Sequence, residues 1–226
     1  MREWSRDSDD MFYPVYLNLK GKRVLVVGGG EVAERKVDSL LETGTSISVV
    51  SPEVTPRLST LSIENRIVLH KRAYRRGDCS GAALVLSATD DQEVSAAVWN
   101  DAQAAGALVN TADQPTLCDF IMPAVVRRGA LTIAISTGGT SPALAARLRS
   151  RLSRMIGPEC AGLLDLLARA RPEIRRRVQL GHDRKALHYR ILDSDVMSLL
   201  EQNDGNGAER RSQEIIENFA CPQKTP

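Results

Sequence analysis

The chain has 226 residues, of which 42% are hydrophobic and 26% charged, with a formal net charge of +2. This length allows one large domain or a medium one with an appendage, and the composition excludes a disordered or fibrous chain. The small net charge gives no ground for a nucleic-acid partner, no apolar run approaches the length that spans a bilayer, and the polar stretch 1–10 lacks the apolar centre of a secretory signal, so a cytoplasmic protein without membrane or nucleic-acid partners is expected.

Residues 1–10 read as a loose extension, after which strand-like and helix-like runs alternate. Residues 22–27 predict a strand, 32–42 a helix closed by Gly44, and 46–50 a second strand. A short helix is expected over 54–62 after Pro52, and a short strand over 67–70. A buried strand over 82–87, a helix over 93–105 ending at Gly106 and a strand over 108–110 follow. Such alternation predicts βαβ units around a parallel sheet. The continuous apolar runs 24–27 and 82–86 suit strands buried on both faces.

The pattern changes after residue 120. Two strand-like runs, 120–129 and 130–136, meet at Arg127-Arg128-Gly129 and predict a hairpin. Ser141 and Pro142 then open a helix as N-cap and first residue. On it Leu144, Leu148 and Leu152 form an apolar stripe, while Arg147, Arg151 and Arg154 share another face. Helices are expected over 160–170, 172–180 and 185–202, a linker over 203–207 and a last helix over 212–219. The fold class is therefore α/β: a Rossmann-like parallel-sheet domain over 1–120, a small segment over 121–156 and a helical domain over 157–226. Nine arginines between Arg147 and Arg177 are either solvated helix faces or a surface for a polyanionic small molecule. Cys79, Cys118, Cys160 and Cys221 are far apart, so reduced thiols are expected, with no structural zinc or other metal site.

Three segments carry the chemistry. The run Val24-Leu-Val-Val-Gly28-Gly-Gly30-Glu-Val-Ala33 is a strand, a tight turn and a helix N-terminus, in the pattern G-x-G-x-x-A. Gly28 suits the turn, Gly30 lets backbone approach a ligand, and Ala33 lets helix pack on strand. The N–H groups and dipole at such a helix start favour a diphosphate, although a ligand-free turn would use the same residues. An acid to hold the ribose is expected at the end of the second strand, but Ser51 stands there and Glu53 comes two residues late. Asn110-Thr-Ala-Asp113-Gln-Pro115 follows the last strand, where open α/β sheets bind ligands. Asp113 is there either a general base or the initiator of the turn before Pro115. Thr137-Gly138-Gly139-Thr140-Ser141 is either an anion-binding nest or a helix cap.

Together with Phe12-Tyr-Pro-Val-Tyr-Leu-Asn-Leu, Arg35-Lys36, Ala88-Thr-Asp-Asp91 and Phe120-Ile-Met-Pro123, these segments resemble the precorrin-2 dehydrogenase family, in order from about residue 11 to 156. Members of that family also form the N-terminal module of siroheme synthase, often with sirohydrochlorin ferrochelatase activity. No methyltransferase pattern follows, so the stand-alone form is expected. The resemblance implies an NAD-binding Rossmann domain, a dimerisation segment over 121–156 and a helical tail, paired as a homodimer. It implies NAD+ as hydride acceptor, precorrin-2 as donor and sirohydrochlorin as product, with Fe2+ a further substrate where chelation is present. By matching positions, Glu31 and Val32 lie along the cofactor, Pro52 and Glu53 at its adenosine end, Asp113 is the catalytic aspartate, and Thr137 stands at the mouth of the tetrapyrrole pocket. The substrate's carboxylates would occupy the arginine-rich helices and the Gly138-Gly139-Thr140-Ser141 turn. His182 and His188 are either iron handlers or surface residues. The alternative from another class is an NAD(H)-sensing regulatory Rossmann dimer without catalysis.

Overall fold

The computed structural model describes residues 12–219, so the expected extension at 1–10 and Cys221 lie outside the described residues. The chain divides into two compact units, Met1–Met122 and Pro123–Pro226.

The first unit alternates β1 (Arg23–Val27), α1 (Glu31–Leu40), β2 (Ser46–Val50), α2 (Pro56–Ile63), β3 (Val68–His70), β4 (Ala82–Ser87), α3 (Gln92–Ala105) and β5 (Leu108–Thr111). A short 3-10 turn, Pro115–Leu117, follows. The five strands are parallel in the order β3-β2-β1-β4-β5. Chain order reverses between β1 and β4, which opens a crevice at their carboxyl ends. Alternation along β1 supplies both layers of the core. Val24 and Val26 pack with Ala33 and Val37 of α1 and Leu58 and Leu61 of α2, whereas Leu25 and Val27 pack with Val98 and Ala102 of α3.

The connection from β3 to β4 is held by polar side chains. Arg72 makes a two-pronged pair with Asp78 at 2.7 and 2.8 Å. Arg23 donates to the carbonyls of Ser80 and Asp78. The Asp101 carboxylate on α3 accepts from the Tyr74 hydroxyl and from the amides of Gly77, at 2.8 Å, and Cys79, at 3.5 Å.

The second unit opens with an antiparallel hairpin, β6 (Ala124–Arg128) and β7 (Leu131–Ile135). Helices α4 (Pro142–Met155), α5 (Glu159–Arg177), α6 (Gly181–Leu192), α7 (Val196–Glu201) and α8 (Gly205–Glu217) follow. Arg128 ties the hairpin to α4, donating to the carbonyls of Ser153 at 2.7 Å and Ile156 at 3.0 Å. It thus satisfies acceptors at a helix C-terminus with a cation, where the dipole favours one. Leu163, Leu166, Ile174, Leu187, Ile191 and Ile216 close a separate core.

Three expectations about these helices are corrected. The segments 160–170 and 172–180 form one helix running through Pro172. A proline there costs an N–H bond to the preceding turn, but Leu163 and Leu166 before it and Ile174 after it are buried in one core, which keeps the axis continuous. The run 185–202 is instead two helices, starting earlier than expected. At the break the Ser194 hydroxyl donates to the Ile191 carbonyl and accepts from the Val196 N–H, replacing helical bonds. The expected linker 203–207 is the start of α8. Asp204 caps it by accepting from Gly207 at 2.8 Å, and Gly207 and Ala208 are buried.

The Asp101 cluster gives a pH-dependent expectation. Burial pushes that carboxyl's pKa up, but the bonds from Tyr74, Gly77 and Cys79 outweigh it and leave the pKa below its ordinary value. A depressed carboxyl contributes stability that is present above its unfolded pKa, near 4, and lost as pH falls through the folded value. Tyr74→Phe should therefore cost about 1 kcal/mol in urea unfolding at neutral pH. The gap to the parent should narrow below about pH 4.

Candidate active site

The site is built at the carboxyl edge of the parallel sheet. Gly28 leaves β1 with φ +114°, in the region that favours glycine. A side chain there would overlap the Ala88 carbonyl at the end of β4. One at Gly29 would overlap the Glu53 carbonyl and crowd Val54 and Ser51. Sequence reasoning assigned Gly29 no role, although the unbroken triplet was visible. Gly30 differs from both. Its φ is −80°, and a Cβ there would meet nothing within 4 Å. The protein itself does not require glycine at 30; the open space lies in front of the α1 N-terminus.

No side chain caps α1, whose first intrahelical bond is Glu34 N–H to the Gly30 carbonyl at 3.0 Å. The N–H groups of Glu31, Val32 and Ala33 therefore face an opening with no side-chain acceptor among the described residues. Ala33 is fully buried against the sheet, while Glu31 and Val32 are exposed. These are the features a dinucleotide diphosphate requires: unspent donors, the positive end of a dipole and no Cβ in the way.

The end of β2 explains the missing acid. Ser51 is buried, and its hydroxyl donates to the Glu53 carbonyl at 2.6 Å, so it shapes the turn. Pro52 and Glu53 are exposed beyond it. Thr55 N–H donates to the Gly29 carbonyl at 2.9 Å, tying this turn to the glycine loop.

At the end of β5 the chain turns through Asp113 at φ +57°. The turn is closed by Cys118, whose thiol donates to the Thr111 carbonyl and accepts from the Thr111 N–H, both at 3.2 Å. Asn110 donates to the Phe120 carbonyl at 2.9 Å and accepts from Lys36 of α1 at 2.8 Å. The Asp113 carboxylate is exposed and has no hydrogen-bond partner among the described residues. It does not close the turn with its side chain. Burial lowers the Lys36 pKa, while the charges of Cys118 and Asp113 push it back up. Lys36, Asn110 and Cys118 were not singled out as a group from sequence. Lys36 stood in the motif, but nothing in the spacing predicted its bond to β5.

In the second unit, the turn 137–141 satisfies much of its own polarity. The Ser141 hydroxyl accepts from Leu144 N–H at 3.2 Å, and that of Thr137 accepts from Ser141 N–H at 3.1 Å. Gly138 and Gly139 have positive φ with open space around them. The Thr140 hydroxyl and the Gly139 N–H have no partner among the described residues. This turn is a helix cap that leaves small groups exposed. His182 lies 2.9 Å from the buried Asp183, and His188 is half-buried on α6. Among the described residues no three His, Cys, Asp or Glu side chains gather as a metal site. No helix there is long and apolar enough to cross a membrane.

Three family models match consecutive stretches: NAD(P)-binding over 15–124, sirohaem biosynthesis protein central over 128–155, and sirohaem synthase dimerisation region over 160–216. The chain is 38% identical over 208 residues to siroheme synthase of Nitrosomonas europaea and 36% identical over 203 residues to that of Methylobacillus flagellatus. It spans 92% and 90% of itself in these matches but only 44% of each relative's length. A solved structure described as SirC, precorrin-2 dehydrogenase, superposes with a TM-score of 0.75 at 30% identity, over 92% of this chain and 100% of that one.

The glycine loop separates two roles experimentally. Gly29→Ala should lower the unfolding temperature by several degrees, because backbone must move to admit the methyl group. Gly30→Ala should leave it within about a degree, since the space is open. Calorimetry of the two variants checks this.

Proposed function

The chain belongs to the precorrin-2 dehydrogenase family, and on that premise we propose that it oxidises precorrin-2 to sirohydrochlorin in siroheme biosynthesis, with NAD+ as acceptor. The observation that carries the reading is at the carboxyl edge of the sheet. An uncapped, glycine-opened helix N-terminus and an unpartnered carboxylate, Asp113, stand on that same edge. A nicotinamide cofactor supplies the hydride acceptor. Gly28 and Gly30 with the N–H groups of Glu31, Val32 and Ala33 would hold the diphosphate. Pro52 and Glu53 would border the adenosine end. The exposed Glu53 carboxylate would repel a 2′-phosphate, and Arg57 of α2 is engaged with Asp38 at 3.4 Å, which favours NAD over NADP.

Oxidation removes one hydride and one proton from the reduced macrocycle. With a nicotinamide bound as hydride acceptor, Asp113 would accept the proton. In the turn 137–141 the Gly139 N–H and the Thr140 hydroxyl are free to donate to substrate carboxylates, with Thr137, Gly138 and Ser141 shaping the turn around them. If the chain also inserts Fe2+, the two pyrrole protons displaced would need the same kind of base. An NAD(H)-sensing module would have no use for an unpartnered carboxylate on the same sheet edge as an open helix start. We place the reaction in the cytoplasm.

We also propose a homodimer. Leu144 and Leu148 are 48% and 36% exposed, and the small hairpin has only Val126 deeply buried, so this part of the unit leaves apolar surface uncovered. The model named for dimerisation matches 160–216, so the pairing surface proposed over 121–156 would extend onto the later helices. Light scattering of dilute protein should give twice the chain mass; a clean monomer would contradict the pairing.

The decisive test is Asp113→Asn. Asparagine tolerates the same left-handed backbone, so the fold should hold. Turnover of precorrin-2 and NAD+, followed by the sirohydrochlorin absorption spectrum, should fall by roughly two to four orders of magnitude. NAD+ affinity by calorimetry should barely change. A variant that folds, binds NAD+ and oxidises at near the parent rate would show that Asp113 is not the base.

A further inference from the structure

The second unit holds a cavity of about 520 Å³ between α5 and α6, and its lining is cationic. Arg171 and Arg175 reach it from α5; Arg184, Lys185 and His188 reach it from α6, with Tyr189 at its side. The i, i+4 spacing of Arg171 and Arg175 puts both on one face of α5. No carboxylate lines the cavity, while Ile174 and Leu192 add apolar surface.

The neighbouring arginines behave differently. Arg176 and Arg177 pair with Glu173, Arg169 with Glu209, and Arg211 with Asp195 and Glu214. Arg171, Arg175 and Arg184 have no acidic partner within ion-pair distance among the described residues. Lys185 instead lies over the Tyr189 ring, 5.9 Å from its centre. Burial, and after it the charge of Arg171, hold the His188 imidazole below its ordinary pKa. The arginine crowding visible in the sequence therefore resolves into two sets, one neutralised within the unit and one gathered around a cavity without a counter-charge.

We infer that this α5–α6 groove binds a multivalent oxyanion, a small molecule presenting clustered carboxylate or phosphate groups. Guanidinium forks at 171, 175 and 184 match either group in two-pronged fashion. The apolar surface of Ile174 and Leu192 would take the ligand's uncharged body. Sequence alone offered the arginine-rich helices as a place for substrate carboxylates; the groove narrows that expectation to Arg171, Arg175 and Arg184 and admits phosphate groups as well, and neither the glycine loop nor Asp113 is part of it.

Calorimetric titration of the full chain at low ionic strength tests it, with inorganic tripolyphosphate as the phosphate probe and benzenehexacarboxylate as the carboxylate probe. Saturable binding of at least one probe, at about one per chain, is expected. Arg171→Gln/Arg175→Gln should weaken it roughly tenfold or more. Arg171→Lys/Arg175→Lys, which keeps the charge but loses the forks, should also weaken it and serves if the first variant fails to fold. Arg210→Gln/Arg211→Gln on α8 removes equal charge elsewhere and should leave affinity unchanged. Which probe binds identifies the oxyanion. No saturable binding of either, equal loss in both glutamine variants, or affinity unmoved at 171 and 175 would each overturn the site. The readout involves no precorrin-2 or NAD+, so it stands or falls apart from the dehydrogenase assay.

Discussion

The carbonyl of Ala88 stands where a side chain at residue 28 would begin, and that of Glu53 where one at residue 29 would. The rest of the first unit depends on this absence of room. It lets the turn after β1 nest against the ends of β4 and β2 at once, so α1 starts at the crevice where strand order reverses. A larger residue at either position would lift the loop and carry the helix start away from the sheet edge. The third glycine is under no such constraint. Two glycines build the scaffold, and the third leaves room at its mouth.

A second connection fixes the other side of that edge. Lys36 sits on α1, well into the helix whose start faces the opening, and donates to Asn110 at the end of β5. Asn110 in turn holds the Phe120 carbonyl, and Cys118 closes the turn around Thr111. A bond between the helix that offers N–H donors and the strand that leads into Asp113 limits how far these two can drift. Burying the Lys36 ammonium is costly, and the Asn110 acceptor with the charge of Asp113 offsets part of that cost. Catalysis by a positioned base tolerates little displacement, so such a connection has a physical use whatever the substrate.

Much of this was legible in the sequence because the first unit obeys local rules. Apolar runs bounded by glycine gave β1 and β4, and Ser141-Pro142 gave the start of α4. The misses have specific causes. Pro172 reads as a stop, yet buried leucine and isoleucine on both sides hold the helix through it. Gly205-Asn-Gly207 reads as a linker, yet a cap at Asp204 and close packing at Gly207 make it helical. In each case tertiary burial overrode propensity, which a single sequence does not display. Ser51 misled differently. The expected acid is absent because the residue there turns inward to a backbone carbonyl, a direction set by the fold and not by the local sequence. The Lys36 bond to Asn110 joins residues 74 positions apart, beyond any local pattern.

The two readings of Asp113 turn out not to compete. Its φ of +57° lies in a region that aspartate and asparagine enter more readily than most residues, so the turn restricts what can stand there. Its carboxylate is not spent on the turn, because the Cys118 thiol and the Thr111 backbone close it. Backbone shape accounts for a short polar residue at 113, and the free side chain accounts for what that residue can do. An asparagine would satisfy the first demand and not the second, since an amide cannot take a proton at neutral pH. The turn thus holds the carboxylate in place with its backbone while leaving both carboxylate oxygens free to accept a proton.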